Sequence, residues 1–209
     1  MAVFDHLAVG ADTLAQGAAW ARDALGVEVP VGGRHPLLST HNLLARLPAG
    51  YFEIIAADPD APAPPRPRWY ALDDPGMAAA LRAAPRPVAW VVEVPDLDAA
   101  LAQASWDPGE ALTVTRGDLS WRLSVPADGS VPEAVLPTLI EWPDGPPRDR
   151  LAEIGLTLEG LTLRHPEPDR IADCLASVGA SDLAVSVSFE VGSPRLFATL
   201  AGPGGRVTL

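Results

Sequence analysis

Short apolar runs alternate with polar punctuation along the whole chain, and one succession recurs three times: a strand-like run, a helix with a start signal, then strand-like runs separated by turns. Repetition on this scale predicts repeated supersecondary units. In the first unit the pattern predicts a strand over Val3 to Gly10 and a helix over Asp12 to Leu25, with Asp12 at the N-cap and Gly26 just past the end. Strands are predicted next at Val27 to Val31, His41 to Leu47 and Tyr51 to Ala56.

The second unit starts with a strand over Pro87 to Val94 and a helix over Asp96 to Ala104. Its later strands are Ala111 to Arg116, Leu119 to Val125 and Leu136 to Trp142, the first two joined by the hairpin signal Gly117-Asp118. The third runs from Leu158 to Leu163, through a helix over Pro168 to Val178 stopped by Gly179, to strands at Ala184 to Val191, Arg195 to Ala201 and Arg206 to Leu209. Asp58 to Pro67 is too rich in proline for a helix or a central strand and reads as a surface connector. After it, Asp74 as N-cap and Pro75 at N1 predict a short extra helix to about Ala84, and Pro143 to Arg148 forms a second proline-rich joint.

At 209 residues, 48% apolar and 20% charged, the chain is large enough for one big domain or two small ones with a packed core. A net charge of −12 is the wrong sign for gripping phosphates, so nucleic acid is not an expected partner. All fifteen basic residues are arginine, which reads as codon bias. The single cysteine, Cys174, cannot form an internal disulfide and fits a helix as a small buried hydrophobe. The first residues lack the features of a signal peptide, and no apolar run approaches the ~18 residues of a membrane span, so a cytoplasmic protein without a membrane partner is expected.

Chemistry concentrates in the stretch from Gly33 to Leu44 and in Tyr51 to Ala56, where His35, His41, Asn42 and one lone carboxylate, Glu53, fall in apolar segments near His6. Polar groups buried unpaired cost about 1–3 kcal/mol each, so these need a partner or a purpose. His41 and Asn42 alternate faces on one strand, so only one of them looks inward, Asn42 sharing its face with Thr40 and Leu44. Trp69, Trp90, Trp121 and Trp142 fall in or beside the first two units, and aromatic walls suit a small-molecule pocket. Trp90 is the preferred pocket residue. Arg122 could hold a ligand's carboxylate or phosphate, or a carboxylate of the protein itself. His165, between Arg164 and Pro166, reads as a loop residue. No nucleophile elbow, P-loop, dinucleotide fingerprint or paired-cysteine motif occurs.

Asp5-His6-Leu7, the run from Gly33 to Asn42, Tyr51 to Ala56 and Leu136 to Trp142 together resemble the glyoxalase-like branch of the vicinal oxygen chelate superfamily, which includes glyoxalases, extradiol dioxygenases and bleomycin-resistance proteins. The resemblance is good over the first 143 residues and weak over the last 60. It implies an α+β fold of βαβββ units. Two of them, 1–58 and 85–143, would pair into a cupped half-barrel, with 151–209 as a third related unit. It also implies a divalent metal ion held by His6, Glu53 and Glu141, with Ala89 standing where a fourth ligand is expected and His41 or His35 as acid or base. The implied function is a metal-dependent lyase, isomerase or dioxygenase acting on a small oxygen-rich molecule.

The rival is a binding protein that sequesters a small molecule in an aromatic cleft, with Glu53 and Glu141 paired to Arg122 or to tryptophan N–H groups; the missing ligand at Ala89 favours it. An odd third unit leaves sheet edges to cover, by a homodimer or by the Pro143 to Gly155 segment.

Overall fold

A computed structural model describes residues 1–209, and two sheets organise them. The first has eight strands: β1 (Val3–Gly10), β2 (Val31–His35), β3 (Thr40–Arg46), β4 (Tyr51–Ala57), β5 (Arg86–Glu93), β6 (Glu110–Arg116), β7 (Leu119–Val125) and β8 (Thr138–Glu141). Their order across the sheet is β2-β3-β4-β1-β5-β8-β7-β6. Each half has the same wiring: the first strand runs parallel to the last, and the other two follow antiparallel. The halves join where β1 and β5 pair antiparallel, with His6 opposite Val91 and Ala8 opposite Ala89. The sheet curls into a cup whose outer strands approach each other, so that Arg116 at the end of β6 reaches Asn42 on β3. This is the α+β cup of paired βαβββ units that the repeated pattern predicts.

Local signals explain the helices. Asp74 and Asp96 cap α2 (Pro75–Ala83) and α3 (Leu97–Gln103) by accepting from the backbone N–H three residues on, as their sequence positions predict. In α1 (Leu14–Trp20) the cap is Thr13 instead of Asp12; its Oγ1 accepts from the Gln16 N–H at 3.1 Å. The last turn of this helix, Ala21–Leu25, widens to π spacing and stops at Gly26, whose φ of 69° is left-handed.

The second strand lies later than predicted, at Val31–His35. Val27 and Val29 are buried, so their apolar pattern records packing, while β2 pairs with β3 at Val31, Arg34 and His35 and its register breaks across Gly32 and Gly33.

The second sheet has the order β10-β9-β11-β12, from β9 (Thr157–His165), β10 (Val187–Val191), β11 (Arg195–Gly202) and β12 (Gly205–Thr208), with α4 (Pro168–Ser177) between the first two. The chain order is that of the other units, but the pairing is different. Here β10 lies beside β9 and parallel to it, and β11 flanks β9 on the other side. The segment therefore makes a separate layer and not another half-cup.

One apolar cluster fills the space behind the cup and draws on both sheets: Phe4, Leu7, Phe52 and Trp90 from the first, Leu161, Leu163 and Leu200 from the second, Cys174 from α4. A second cluster lies inside the cup around Ala8, Ile55, Ala89, Val91 and Trp121. Pro143 to Gly155 runs along the end of β3, where Ala152 O accepts from Arg46 N, so it leaves the β10 edge open. No helix is long and apolar enough to cross a membrane.

Candidate functional site

Strand alternation decides what the cup contains. On β3, Asn42 and Leu44 face inward; on β4, Tyr51 and Glu53; on β7, Trp121 and Leu123; on β8, Ile140. A bulge lies between Phe4 and His6 in the pairing of β1 with β5. It lets the consecutive residues Asp5 and His6 serve one site, which regular alternation would forbid.

The polar centre is a buried chain of contacts. His6 Nδ1 meets Asp5 Oδ1 at 2.6 Å, and His6 Nε2 lies 3.4 Å from Glu53 Oε2. Glu53 Oε1 accepts from Asn42 Nδ2 at 2.6 Å, and Asp5 Oδ2 accepts from Trp142 Nε1 at 3.0 Å. Tyr51 stacks on the His6 ring, centroids 4.4 Å apart. Gly50 turns the chain between β3 and β4 with φ 70°; a Cβ there would sit 2.1 Å from Asp5 O, so only glycine lets the turn lie against this strand.

Two carboxylates around one imidazole set its charge. Burial pulls the His6 pKa down, but the hydrogen bonds and charges of Asp5 and Glu53 outweigh it and raise the value to about 9. Burial likewise pushes Glu53 up, and the bond and charge of His6, helped by Asn42, bring it below the usual range. At neutral pH the pair is imidazolium and carboxylate. His35 differs: burial dominates, Arg116 adds to it, and the pKa falls to about 4 in spite of Glu53, so this ring is neutral. Its Nδ1 lies 3.0 Å from Thr40 Oγ1 and its Nε2 3.5 Å from Arg116 Nη1.

Around this centre stand aromatic walls. Trp69 and Tyr70 stack at 5.4 Å, and Trp121 and Trp142 tilt together at 5.2 Å. Trp69 and Tyr70 follow the proline-rich connector and line the cleft; Tyr70 and Ala71 have left-handed φ of 61° and 55°, a strained backbone that packing must hold in place. The cleft is narrow, about 400 Å³ between the side chains with its open mouth included.

Of the sequence candidates, the structure brings His6, Glu53, Asn42, His35 and Trp121 together in this cleft and leaves four outside. Trp90 points to the far side of β5, fully buried, its Nε1 donating to Val135 O at 2.8 Å. Glu141 is one residue out of register for the cup: Ile140 faces inward, while Glu141 accepts from Arg122 at 3.0 Å and from Leu97 N at 3.4 Å. Arg122 also holds Asp98 at 2.7 Å, so it serves carboxylates of the protein. His41 faces away from Asn42, with its Nε2 buried and unpartnered and Arg34, Asp58 and Asp60 nearby. His165 ends β9, its Nδ1 accepting from Glu167 N.

The metal set expected of His6, Glu53 and Glu141 therefore does not assemble. His6 Nε2 and Glu53 Oε2 converge, but Asp5 occupies the opposite ring nitrogen, and the facing half of the cup offers Ala89, Val91 and Ile140. No group of three or more metal-binding side chains surrounds one point.

The sequence reading missed Arg116, Tyr70 and Tyr51. Arg116 is an isolated cation at a strand end; the glycine at position 33, where a Cβ would lie 2.6 Å from Arg116 Cδ, leaves room for its stem across the cup's seam. For Tyr70, the only signal was an aromatic pair amid prolines.

The glyoxalase-like domain profile matches residues 4–179, which include every strand of the cup, β1 from Phe4 on. The chain belongs to the glyoxalase-like domain family. The match continues through α4, beyond the 143 residues over which the sequence resemblance was good. No curated protein matches the chain.

Among solved structures, a hypothetical protein from Staphylococcus aureus is similar at TM-score 0.63 and 14% identity, covering 93% of this chain and 88% of that one. It shows the fold alone. The methylmalonyl-CoA epimerase from Mycobacterium tuberculosis is similar at TM-score 0.41 and 19% identity, over 70% of this glyoxalase-like chain and 91% of its own. A Streptomyces coelicolor methylmalonyl-CoA epimerase in complex with 2-nitronate-propionyl-CoA reaches TM-score 0.40 at 15% identity, over 68% and 97%. Similarity at these last two levels carries no functional argument.

Proposed function

We propose that this glyoxalase-like protein binds a small oxygen-rich molecule in the cup and holds it without proton-transfer chemistry. One observation carries the reading: the His6–Glu53 pair is buried and closed on both sides, by Asp5 and by Asn42. A general base working at neutral pH needs a pKa near 7 and a free lone pair. Glu53 is held below the usual carboxylate range with both oxygens engaged, and His6 stays protonated to about 9. His35 protonates only near 4. What remains is a cleft of aromatic faces and hydrogen-bond donors, the chemistry of recognition.

A second reading is favoured by the convergence of His6 Nε2 and Glu53 Oε2, with Asp5 orienting the imidazole through Nδ1, as a carboxylate does behind a metal-bound histidine. These two donors make half a site, which a divalent ion could use only with water and ligand oxygens completing its shell. Calorimetric titration of Mn²⁺, Zn²⁺ and Ni²⁺ into the parent and a Glu53→Gln variant separates the readings. The binding reading expects the same weak heats from both. Stoichiometric uptake by the parent, lost in the variant, would overturn it and establish the half-site.

A homodimer through the open β10 edge belongs to the same proposal, since Val191 and Phe189 are exposed there. Sedimentation showing a monomer at all concentrations would remove it.

A further inference from the structure

The donors lining the cup are unevenly satisfied. Around it, Arg34, Arg66, Arg68, Arg122 and Arg148 all end on carboxylates. Arg116 does not: its Nη1 has only His35 Nε2 and Asn42 Oδ1, each at 3.5 Å, and its guanidinium lies 5.8 Å from the Trp121 ring centroid. Trp69 is 3% exposed and its Nε1 is buried without a partner. Trp69 also packs edge-on to His35, ring centroids 5.0 Å apart, so the Arg116 guanidinium and the Trp69 indole flank the same imidazole. An unpaired buried donor keeps the cost of its lost hydration, which a ligand oxygen would remove.

Charge then limits the ligand. Asp5 and Glu53 outnumber the His6 imidazolium by one charge, and Arg116, the one guanidinium lining the cleft and one without a carboxylate partner, brings the formal sum to zero. One negative charge can settle beside Arg116, while a polyanion is repelled by the two carboxylates and by the chain's net charge of −12. The aromatic walls and narrow gap admit a flat ring more easily than a puckered one.

We infer that the cleft takes a planar aromatic monocarboxylate, its carboxylate on Arg116 and the Trp69 N–H and its ring among the tryptophans. The inference rests on the binding reading above and names its ligand class. A guanidinium meets a carboxylate through two parallel N–H donors, which gives the pairing its geometry as well as its strength.

The test is titration of the folded full-length protein with benzoate, benzamide, cyclohexanecarboxylate and inorganic phosphate, followed by tryptophan fluorescence and calorimetry. Benzoate is expected to bind at least about tenfold more tightly than each of the others, since it alone joins a flat ring to a charge-assisted pair with the guanidinium. Arg116→Gln should erase that advantage while leaving benzamide unchanged, and Trp69→Phe, which keeps the ring and loses the N–H, should weaken benzoate several-fold. Unchanged melting temperatures would show that both variants fold. Equal binding of benzoate and benzamide, or no effect of Arg116→Gln, overturns the ligand class. If benzoate fails while other oxygen-rich fragments still perturb the cleft tryptophans, the class falls and the binding reading stands. If nothing perturbs them, both fall.

Discussion

His6 and Glu53, from β1 and β4, bring Nε2 and Oε2 to 3.4 Å at the floor of the cup with nearly all solvent excluded. Desolvating two charges is expensive, so such a pair persists only where further bonds satisfy it, here Asp5 on one side and Asn42 on the other. Removing one partner should therefore cost more than the pair contributes. Glu53→Gln is expected to destabilise the protein by about 3 kcal/mol, the low end for a broken buried pair because Asp5 still neutralises the imidazolium. NMR titration of His6 in this variant should give a pKa below the parent's value of about 9.

The two buried histidines predict a stability maximum near pH 6.5. His6 has its folded pKa raised from 6.5 to about 9, so its contribution is complete below 6.5 and is lost as pH rises through 9. His35 has its folded pKa lowered to about 4, so the folded state stays neutral while the unfolded chain takes up a proton, and stability is lost as pH falls from 6.5 towards 4. Urea midpoints measured from pH 4 to 9 should trace a dome; a flat profile would contradict the assigned charges.

Trp90 and Trp121 separate stability from recognition. Trp90→Phe loses a buried hydrogen bond to Val135 O and some packing, an expected cost of about 2 kcal/mol, without altering ligand affinity. Trp121→Leu should weaken binding instead. Equal effects of the two on affinity would mean that the cleft is not the ligand site.

Gly50→Ala is predicted to cost at least about 2 kcal/mol, because the left-handed φ and the 2.1 Å approach to Asp5 O act together. Chemical denaturation measures it. A cost under about 1 kcal/mol would show that the turn relaxes away from Asp5.

The apolar cluster behind the cup is shared between the two sheets, Leu163 and Leu200 lying in it with Phe4 and Trp90. A chain ending at Arg150 should lack a cooperative thermal transition, since it would expose that face. A sharp calorimetric melt of the shortened chain would show instead that the cup folds alone.

Much of this architecture was legible from period and caps. Leu119 to Val125 is a strand as read, and Asp74 and Asp96 cap their helices, because alternation and capping are local. The shift of β2 was not legible: buried Val27 and Val29 carry an apolar pattern without strand pairing, while β2 itself holds Gly32 and Gly33, residues of low strand propensity across which its register breaks. At the site, His6, Glu53 and Asn42 were visible as polar residues in apolar strands. Trp90 and Glu141 were misplaced by one face each, a parity that periodicity alone cannot fix without a register. Asp5 was hidden by the bulge that puts it beside His6 on one site, and Arg116 is significant only because the cup's seam nearly closes.

The most direct test of the binding site is two-dimensional NMR of the six indole N–H signals during titration with a mixture of small oxygen-rich fragments. The account predicts that Trp69, Trp121 and Trp142 shift together while Trp90 stays fixed. Shifts at Trp90, or at Trp20 and Trp106 with the three cleft signals unmoved, would contradict it.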